Sequence, residues 1–293
     1  MATLGNFAPS GDYAFPYRDL VGARVLVTGG RGTLGAAICR GFASLGAQVW
    51  SVDQSPVEGG EQHPQIAQRV ADVRDRASLQ AVQAEVALTE GLDVLVNAHG
   101  LQIRSDFAGC DEETWMTLTD VNLNGVYRSC QVFGEPMRTR GGAIVNIGSV
   151  NGVVVSGKGT PYGIQKAAVS HMTKVMAVEW APLVRVNALA PTAIPSGMTK
   201  DLFANPDYVR TKTQSIPLKR TGTEQDIVHA VLLVLVWCWW RSLNPSVRLS
   251  GVSYNMVEPY VTLVESHIIF MQSCITLMKF SDSINGVLYN IEW

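Results

Sequence analysis

Tyr162 and Lys166 stand four residues apart in the run PYGIQK, which opens a longer segment with helical periodicity. Residues at i and i+4 lie on one face of a helix, so the phenol and the ammonium can point into the same pocket. The pair suits proton transfer, because a neighbouring cation stabilises a phenolate and lowers a tyrosine pKa that is otherwise about 10. A half-buried tyrosine beside a snorkelling lysine gives the same spacing, so the surrounding sequence has to decide.

A glycine-rich turn, TGGRGTLG over 28–35, follows an apolar run and leads into a helical pattern. Glycines allow a tight turn and close approach of the backbone to a pyrophosphate, whose charge meets the N-terminus of the next helix. Asp53 ends the second apolar run, 24 residues after Gly29. A carboxylate at that place accepts hydrogen bonds from ribose hydroxyls and repels a 2′-phosphate, which favours NAD over NADP. Arg31 in the same turn could reach a 2′-phosphate, so NADP stays open.

Short runs rich in Val, Ile and Leu alternate with helical segments. The pattern predicts strands over 23–29, 47–53, 67–73, 92–100, 142–149 and 184–192, and helices over 34–46, 76–91, 111–137 and from Tyr162 onward. Buried strands separated by helices indicate an α/β fold: a single Rossmann-like, doubly wound parallel sheet with helices on both faces. In such sheets ligands bind beyond the carboxyl ends of the strands, where the polar residues above are found.

Taken in order, these motifs resemble the short-chain dehydrogenase/reductase family over residues 20–234. Ser149 precedes Tyr162 by 13 residues, as the family pattern requires. Several motifs in the right order are far more specific than any one of them. The matching elements are TGGRGTLG, Asp72 in ADV, NAHG over 97–100, Asn122 in DVNLNG, Ser149 in NIGSVNG, Tyr162 and Lys166 in YGIQK, and NALAPTAI over 187–194.

The resemblance implies a role for each matching residue. Tyr162 would be the general acid/base, and Ser149 would orient the substrate oxygen. Lys166 would lower the Tyr162 pKa and hold the nicotinamide ribose, while Asn122 would mark a local kink that holds a proton-relay water. No metal ligand is expected. The implied cofactor-binding residues are Gly29, Arg31, Gly32, Thr33, Leu34, Asp53, Asp72, Val73, Asn97, Ala98, Gly100, Tyr162, Lys166, Pro191, Thr192 and Ile194.

Three positions depart from the family pattern. Thr33 replaces the second glycine of the turn and places a side chain where the backbone should meet phosphate. Thr192 follows Pro191 where the family has glycine, which changes the floor of the nicotinamide site. His99 stands where the family often has a small residue, and we interpret it as a loop histidine, since no nucleophile pairs with it.

The C-terminal part of the chain departs further. We expect a Rossmann-fold catalytic domain over residues 1–235 and an atypical segment over 236–293, with a degraded last strand near 251–260. The segment is either a genuine extension or the product of an altered reading frame or a retained intron. Its lack of helix caps, clear periodicity and turn signals favours the second origin.

Composition excludes several classes of function. The formal charge of −2 over 293 residues gives no sign of a nucleic-acid partner. Residues 1–20 carry no basic region followed by an apolar run, so no secretory signal is expected. The five cysteines lack metal-ligand spacing and predict free thiols in the cytoplasm. The apolar run 230–240 is about half the length of a membrane span, which favours a buried helix end and no membrane contact.

The sequence therefore predicts an NAD(P)-dependent oxidoreductase that interconverts a secondary alcohol and a ketone. The family resemblance is nearest to sugar-acid and polyol dehydrogenases and to 3-oxoacyl reductases, and it implies a homo-oligomer. Basic residues in the loop 195–222, together with Arg104, are compatible with a carboxylated or polyhydroxylated small-molecule substrate. Two alternatives stay open: a 3-oxoacyl thioester reductase, and a cofactor-binding protein that its atypical tail leaves inactive.

Overall fold

A computed structural model describes residues 20–55, 63–155, 160–216 and 218–243, with three further strands at 253–255, 268–272 and 277–279. The first half of the chain alternates strands and helices, as the apolar pattern predicts. Its elements are β1 (Arg24–Thr28), α1 (Thr33–Ser44), β2 (Gln48–Asp53), β3 (Ile66–Val70), α2 (Arg76–Ala87) and β4 (Val94–Asn97).

The predicted helix over 111–137 is present but is interrupted twice by π-helical turns. It runs as α3 (Glu112–Thr119), a π turn (Asp120–Asn124), α4 (Gly125–Ser129), a second π turn (Cys130–Gly134) and α5 (Met137–Arg140). The remaining elements of the domain are β5 (Gly142–Ile147), a 3₁₀ turn (Val150–Gly152), α6 (Thr160–Glu179), β6 (Val184–Pro191), a 3₁₀ turn (Gly197–Thr199), α7 (Lys200–Phe203), α8 (Pro206–Ser215) and α9 (Glu224–Leu243).

The six predicted strands form one parallel sheet in the order β3-β2-β1-β4-β5-β6. The strand order reverses between β1 and β4: the first three strands proceed from β1 to one edge of the sheet, and the next three proceed from β4 toward the other edge. Crevices at such a reversal, outside the carboxyl ends of the strands, are where open α/β sheets bind ligands. Thr28 at the end of β1 pairs with Asn97 at the end of β4, which brings the glycine-rich turn beside the NAHG motif.

The strand at the edge of the sheet comes from the C-terminal part of the chain. The strand beside β6 is β8 (Ile268–Gln272), and it pairs antiparallel, while the described residues of the segment 251–260 form β7 (Ser253–Asn255). That strand pairs instead with β9 (Leu277–Lys279) in a separate ribbon. The run HIIFMQ is richer in β-branched and aromatic residues than GVSYNMVEPY, which contains glycine and proline, and this favours the former as a strand.

Two apolar layers cover the sheet, one on each face. Val25 and Val27 point to one face and pack with helices α1 and α9. Leu26 between them points to the other face and packs with α6 and with the interrupted helix that runs from α3 to α5, called the long helix below. This alternation along a buried strand places apolar side chains on both sides. Each such side chain, when fully buried, contributes about 1.5–3 kcal/mol.

Helix α9 is positioned by a reciprocal cap. Thr223 Oγ1 accepts a hydrogen bond from Asp226 N at 3.2 Å, and Asp226 Oδ2 accepts one from Thr223 N at 2.8 Å. This geometry satisfies two N–H groups at the helix start. The described side chains of the apolar run, Ala230 to Leu235, are buried apart from Leu233. No helix in the described part of the chain is long and apolar enough to cross a membrane.

Candidate active site

The glycine-rich turn forms one end of a cavity at the carboxyl edge of the sheet. Gly29 has φ +67°, and a Cβ there would lie 2.5 Å from His99 Cα. A Cβ on Gly35 would lie 2.0 Å from Gly29 O. Helix α1 begins directly after Gly32, and no side chain caps it. Bare backbone leading into an uncapped helix N-terminus fits a pyrophosphate, so these residues suit a dinucleotide.

Asp53 lies at the end of β2 and faces the same cavity. Its Oδ2 accepts a hydrogen bond from Arg31 N at 3.2 Å, and its Oδ1 accepts one from Ser55 N at 3.3 Å. The Arg31 guanidinium donates to the backbone carbonyl of Ser55 and does not line the cavity. The carboxylate is therefore the charged group that this end of the cavity presents.

The cavity wall also holds an ion pair that the sequence interpretation missed. Arg74 donates to both carboxylate oxygens of Asp72, with Nε at 3.0 and 2.9 Å and Nη2 at 2.6 Å. The hydrogen bond from Arg74 lowers the pKa of Asp72 below its usual value. Val73 lies beside them on the cavity wall. The short spacing between Asp72 and Arg74 is the signal from which this pair could have been inferred.

A chain of buried polar side chains runs beneath the cavity from β1 to α6. Thr28 Oγ1 donates to Asn97 Oδ1 at 3.2 Å, and Asn97 Nδ2 donates to Asn146 Oδ1 at 2.8 Å. Asn146 Nδ2 then donates to Thr173 Oγ1 at 2.9 Å, and Ser129 Oγ donates to Asn97 Oδ1 at 2.6 Å. All five side chains are buried. The network ties the glycine-rich turn to helix α6, because buried polar groups with satisfied hydrogen bonds rigidify their surroundings.

His99 joins this network at the NAHG motif. Its Nδ1 lies 2.7 Å from Thr28 Oγ1, while its Nε2 has no hydrogen-bond partner in the described part of the chain. Burial, together with the charge of Lys166, lowers the pKa of His99 to about 3, so the ring is neutral. His99 does lie in the loop after β4, as interpreted from the sequence, but its imidazole is a buried member of the polar network, which the sequence did not indicate.

Ser149, Tyr162 and Lys166 come together at the carboxyl end of β5. Ser149 Oγ accepts a hydrogen bond from Asn151 N at 3.2 Å, and the Ser149 hydroxyl also hydrogen-bonds the Tyr162 phenol. Lys166 Nζ lies 5.7 Å from the centre of the Tyr162 ring and donates to Ile147 O at 2.7 Å. All three side chains are buried and line the cavity. The i and i+4 spacing therefore directs both residues of the helix to one site.

The pKa of Tyr162 differs from the expectation. Burial raises it to about 12, and the hydrogen bond with Ser149 only partly opposes the increase. Burial also lowers the pKa of Lys166 to about 8. Lys166 was expected to lower the Tyr162 pKa, but its ammonium donates to the carbonyl of Ile147, and burial of the phenol dominates.

Asn122 lies in the first π turn, which is the kink that the family resemblance implied. Its side chain is fully buried and bonds the backbone of Leu101 twice: Oδ1 accepts from the N–H at 2.9 Å, and Nδ2 donates to the carbonyl at 2.8 Å. Gly100 lies between Asn122 and Lys166, since a Cβ there would be 3.2 Å from Asn122 Oδ1 and 3.7 Å from Lys166 Nζ. The position thus requires a very small residue.

The wall beyond β6 begins with the two threonines that depart from the family pattern. Thr33 Oγ1 accepts a hydrogen bond from Gly197 N at 3.4 Å, so the hydroxyl links the glycine-rich turn to the far wall. Thr192 Oγ1 is buried without a hydrogen-bond partner in the described part of the chain. Both residues face the cavity.

The cavity has a volume of about 1050 Å³ and joins both ends of the site. Of the predicted site residues, Arg31, Asn97 and Asn122 do not line it, and the two asparagines act from behind its wall. Within the described part of the chain, no group of His, Cys, Asp and Glu side chains could hold a metal ion. The predicted residues that line the cavity are Gly29, Gly32, Thr33, Leu34, Asp53, Asp72, Val73, Ala98, Gly100, Ser149, Tyr162, Lys166, Pro191, Thr192 and Ile194.

Comparison with known proteins agrees with this geometry. The family model for the short chain dehydrogenase matches residues 23–207. The chain belongs to the short-chain dehydrogenase family. Galactitol 2-dehydrogenase (L-tagatose-forming) of Cereibacter sphaeroides is 35% identical over 232 residues, which cover 76% of this chain and 91% of the relative. The 3-oxoacyl-[acyl-carrier-protein] reductase of Chlamydia muridarum is 33% identical over 227 residues, covering 73% and 90%.

Solved structures of the family superpose on the same part of the chain. The gluconate 5-dehydrogenase of Burkholderia cenocepacia, solved in complex with NADP and tartrate, matches with a TM-score of 0.69 and 26% identity. The match covers 75% of this chain and 91% of that structure. The aldohexose dehydrogenase of Thermoplasma acidophilum matches with a TM-score of 0.68 and 27% identity, covering 74% and 88%. Family membership makes the protein an oxidoreductase that acts on alcohols or ketones.

Proposed function

We propose that this protein interconverts a secondary alcohol and a ketone on a small polyhydroxylated substrate, a polyol or a sugar acid, with NAD as cofactor. The observation that carries the proposal is the meeting of Ser149, Tyr162 and Lys166 in a cavity that also contains Asp53 and the glycine-rich turn. Relatives named galactitol 2-dehydrogenase and gluconate 5-dehydrogenase support the substrate class.

In this proposal Tyr162 transfers the proton. Its raised pKa keeps the phenol protonated near neutrality, which suits donation to a carbonyl oxygen. Ser149 already hydrogen-bonds the phenol, so a substrate oxygen placed against Tyr162 also lies within reach of the Ser149 hydroxyl. When bound, the cofactor donates or accepts the hydride, and its oxidised ring adds positive charge. Lys166, whose ammonium lies near the phenol, stabilises the phenolate when the alcohol is oxidised.

The remaining site residues set the geometry. Asn122 fixes the loop that follows β4 through its two hydrogen bonds to Leu101, and its π turn supplies a kink suited to a proton-relay water. The Asp53 carboxylate would accept hydrogen bonds from the ribose hydroxyls of the cofactor and would repel a 2′-phosphate, which supports NAD over NADP. Ile194 and Thr192 form the floor for the nicotinamide ring.

The proposal is tested by titrating the protein with NADH and with NADPH, following cofactor fluorescence, and by screening turnover on polyols, aldonates, steroids and acetoacetyl thioesters. We expect tighter binding of NADH than NADPH and turnover on polyols or aldonates. Preference for NADPH with turnover of acetoacetyl thioesters would instead identify a 3-oxoacyl reductase. Cofactor binding without oxidation of any substrate would show a binding protein.

We also infer that the protein forms homo-oligomers. Ile164, Val175 and Val178 are exposed and fall on one side of helix α6, because steps of 11 and 14 residues are close to whole helical turns. An exposed apolar face on a long helix supports burial against a second copy of the chain. Light scattering at several concentrations tests this inference, and a monomer at all of them would refute it.

The catalytic unit is proposed to end near residue 235, with 236–293 as an appended segment. Among the residues that the structure describes, those that line the cavity all precede residue 213, which supports this division. Limited proteolysis with mass spectrometry tests the boundary: cleavage after residue 235 with retained NADH binding is expected.

The described cysteines Cys39, Cys110 and Cys130 are free thiols, which supports a reducing, cytoplasmic environment.

A further inference from the structure

Two cations face the substrate end of the cavity without an anionic partner. Arg104 lies in the loop after β4, and Lys212 lies in the last turn of α8. Neither forms a salt bridge in the described part of the chain, although nine other cation–carboxylate pairs are present there. Cations left unpaired at the wall of a binding cavity attract an anion from solution.

Both cations line the cavity beside Tyr208. Tyr208 and Lys212 are four residues apart on α8, so both lie on one face of that helix, and both line the cavity. Arg104 belongs to a different segment of the chain, and its Nη2 donates to Met198 O at 3.4 Å. Burial raises the pKa of the Tyr208 phenol, and the nearby Arg104 charge opposes that increase. Arg104 and the α8 residues therefore act on the same space.

We propose that Arg104 and Lys212 bind a carboxylate of the substrate, so that the enzyme acts on a sugar acid in preference to a neutral polyol. The proposal rests on the proposed dehydrogenase function and names the charge class of its substrate. A guanidinium binds a carboxylate through two parallel hydrogen bonds, and an ammonium adds a point charge. The Tyr208 hydroxyl is placed to hydrogen-bond the same group or a neighbouring substrate hydroxyl.

The rest of this wall fits a chain of hydroxyl groups. Gln102, Thr117 and Asn151 also line the cavity. Their amides and hydroxyls can each donate and accept hydrogen bonds, as a polyhydroxylated chain requires. The oxidised carbon at Tyr162 and the carboxylate at Arg104 would then lie at different positions of one substrate. A long apolar substrate would displace water from Gln102 and Thr117 without replacing its hydrogen bonds, which costs binding free energy.

The test compares matched substrates that differ only in the terminal group: gluconate against glucitol, and galactonate against galactitol. The wild-type kcat/KM should be at least about tenfold higher for each acid. Arg104→Met and Lys212→Met should each raise KM for the acids about tenfold or more, with little change for the polyols, as expected for loss of a charge-assisted hydrogen bond. NADH affinity should stay unchanged in both variants.

Arg210→Met is the matched control, because Arg210 is on the same helix, pairs with Asp207 and does not line the cavity. Its kinetics should equal those of the wild type. Added salt should raise KM for the acids and leave that for the polyols unchanged. Equal use of acid and polyol, or no effect of both cavity variants, overturns the proposal while the dehydrogenase function stands.

A binding measurement covers the case of slow turnover. Calorimetric titration of gluconate, galactonate and tartrate into the protein saturated with NADH should show binding that Arg104→Met weakens about tenfold or more. Absence of binding by all three acids overturns the proposal. Absence of turnover on every substrate, with NADH binding intact, counts against the proposed function and not against carboxylate binding.

Discussion

Gly125 lies directly against the ring of His99: a Cβ on Gly125 would be 2.9 Å from His99 Nε2 and 2.8 Å from Val73 Cγ2. The glycine is the first residue of α4, immediately after the π turn that carries Asn122. The imidazole at position 99 thus occupies the space beside the helix, and a bare backbone at position 125 provides the room for it.

Gly125→Ala should therefore destabilise the protein by about 1–3 kcal/mol, because the new methyl group overpacks a buried site. His99→Ala opens space at the same point, so the double variant should be less destabilised than the sum of the single variants. Urea unfolding of the wild type, both single variants and the double variant measures this coupling. Simple additivity of the two changes would show that the two residues do not contact each other.

Tyr162→Phe should reduce kcat by about 10²–10⁴, because the ring remains while the transferable proton is lost. The affinity for NADH should change little, since the substitution removes a single oxygen. Tyr127→Phe is the matched control, because Tyr127 is exposed on the long helix and does not line the cavity. Steady-state kinetics and fluorescence titration give the two readouts. Retained turnover in the Tyr162 variant would exclude the phenol as the acid/base.

Asp53→Ser should reverse the preference between the two cofactors. Loss of the carboxylate removes the acceptor for the ribose hydroxyls and the repulsion of a 2′-phosphate, while Arg31 stays nearby. NADH affinity should fall about tenfold, and NADPH affinity should rise. Dissociation constants from fluorescence titration check both changes. Tighter binding of NADPH by the wild type would contradict the role given to Asp53.

Lys166→Met should stabilise the cofactor-free protein at neutral pH. Burial lowers the pKa of Lys166 from 10.5 to about 8, so the unfolded chain binds this proton more tightly than the folded protein does. The cost of the buried charge is fully present below about pH 8 and fades as the pH rises toward 10.5. Removing the charge should raise the free energy of unfolding by about 1–3 kcal/mol near pH 7. Loss of the hydrogen bond to Ile147 O reduces this gain.

The same Lys166→Met variant should lose most of its activity. Urea unfolding at about pH 7 and about pH 10 measures the stability difference, which should be smaller at the higher pH. A difference that does not change with pH would contradict a buried charge as its cause.

Local sequence patterns predicted the parallel sheet and identified most of the residues proposed for the site, and most of these line one cavity. Strand and helix patterns follow from local periodicity, and the glycine-rich turn, Asp53, Ser149 and the Tyr162–Lys166 pair are recognisable because their spacing along the chain reflects a fixed geometry. The cap at Thr223 was equally local, since both partners lie within one helical turn.

Tertiary structure alone decided the properties that depend on burial and on contacts between distant segments. His99 is a member of the polar network because β1 and β4 are neighbours in the sheet, which no local pattern encodes. The Tyr162 pKa rises because desolvation outweighs the hydrogen bond with Ser149, and the extent of desolvation is set by packing. The strand beside β6 comes from 268–272 because pairing at a sheet edge depends on which segment the chain can bring there. Arg104 and Lys212 line one cavity for the same reason: their loop and helix are far apart in sequence and are brought to the same cavity only by the fold.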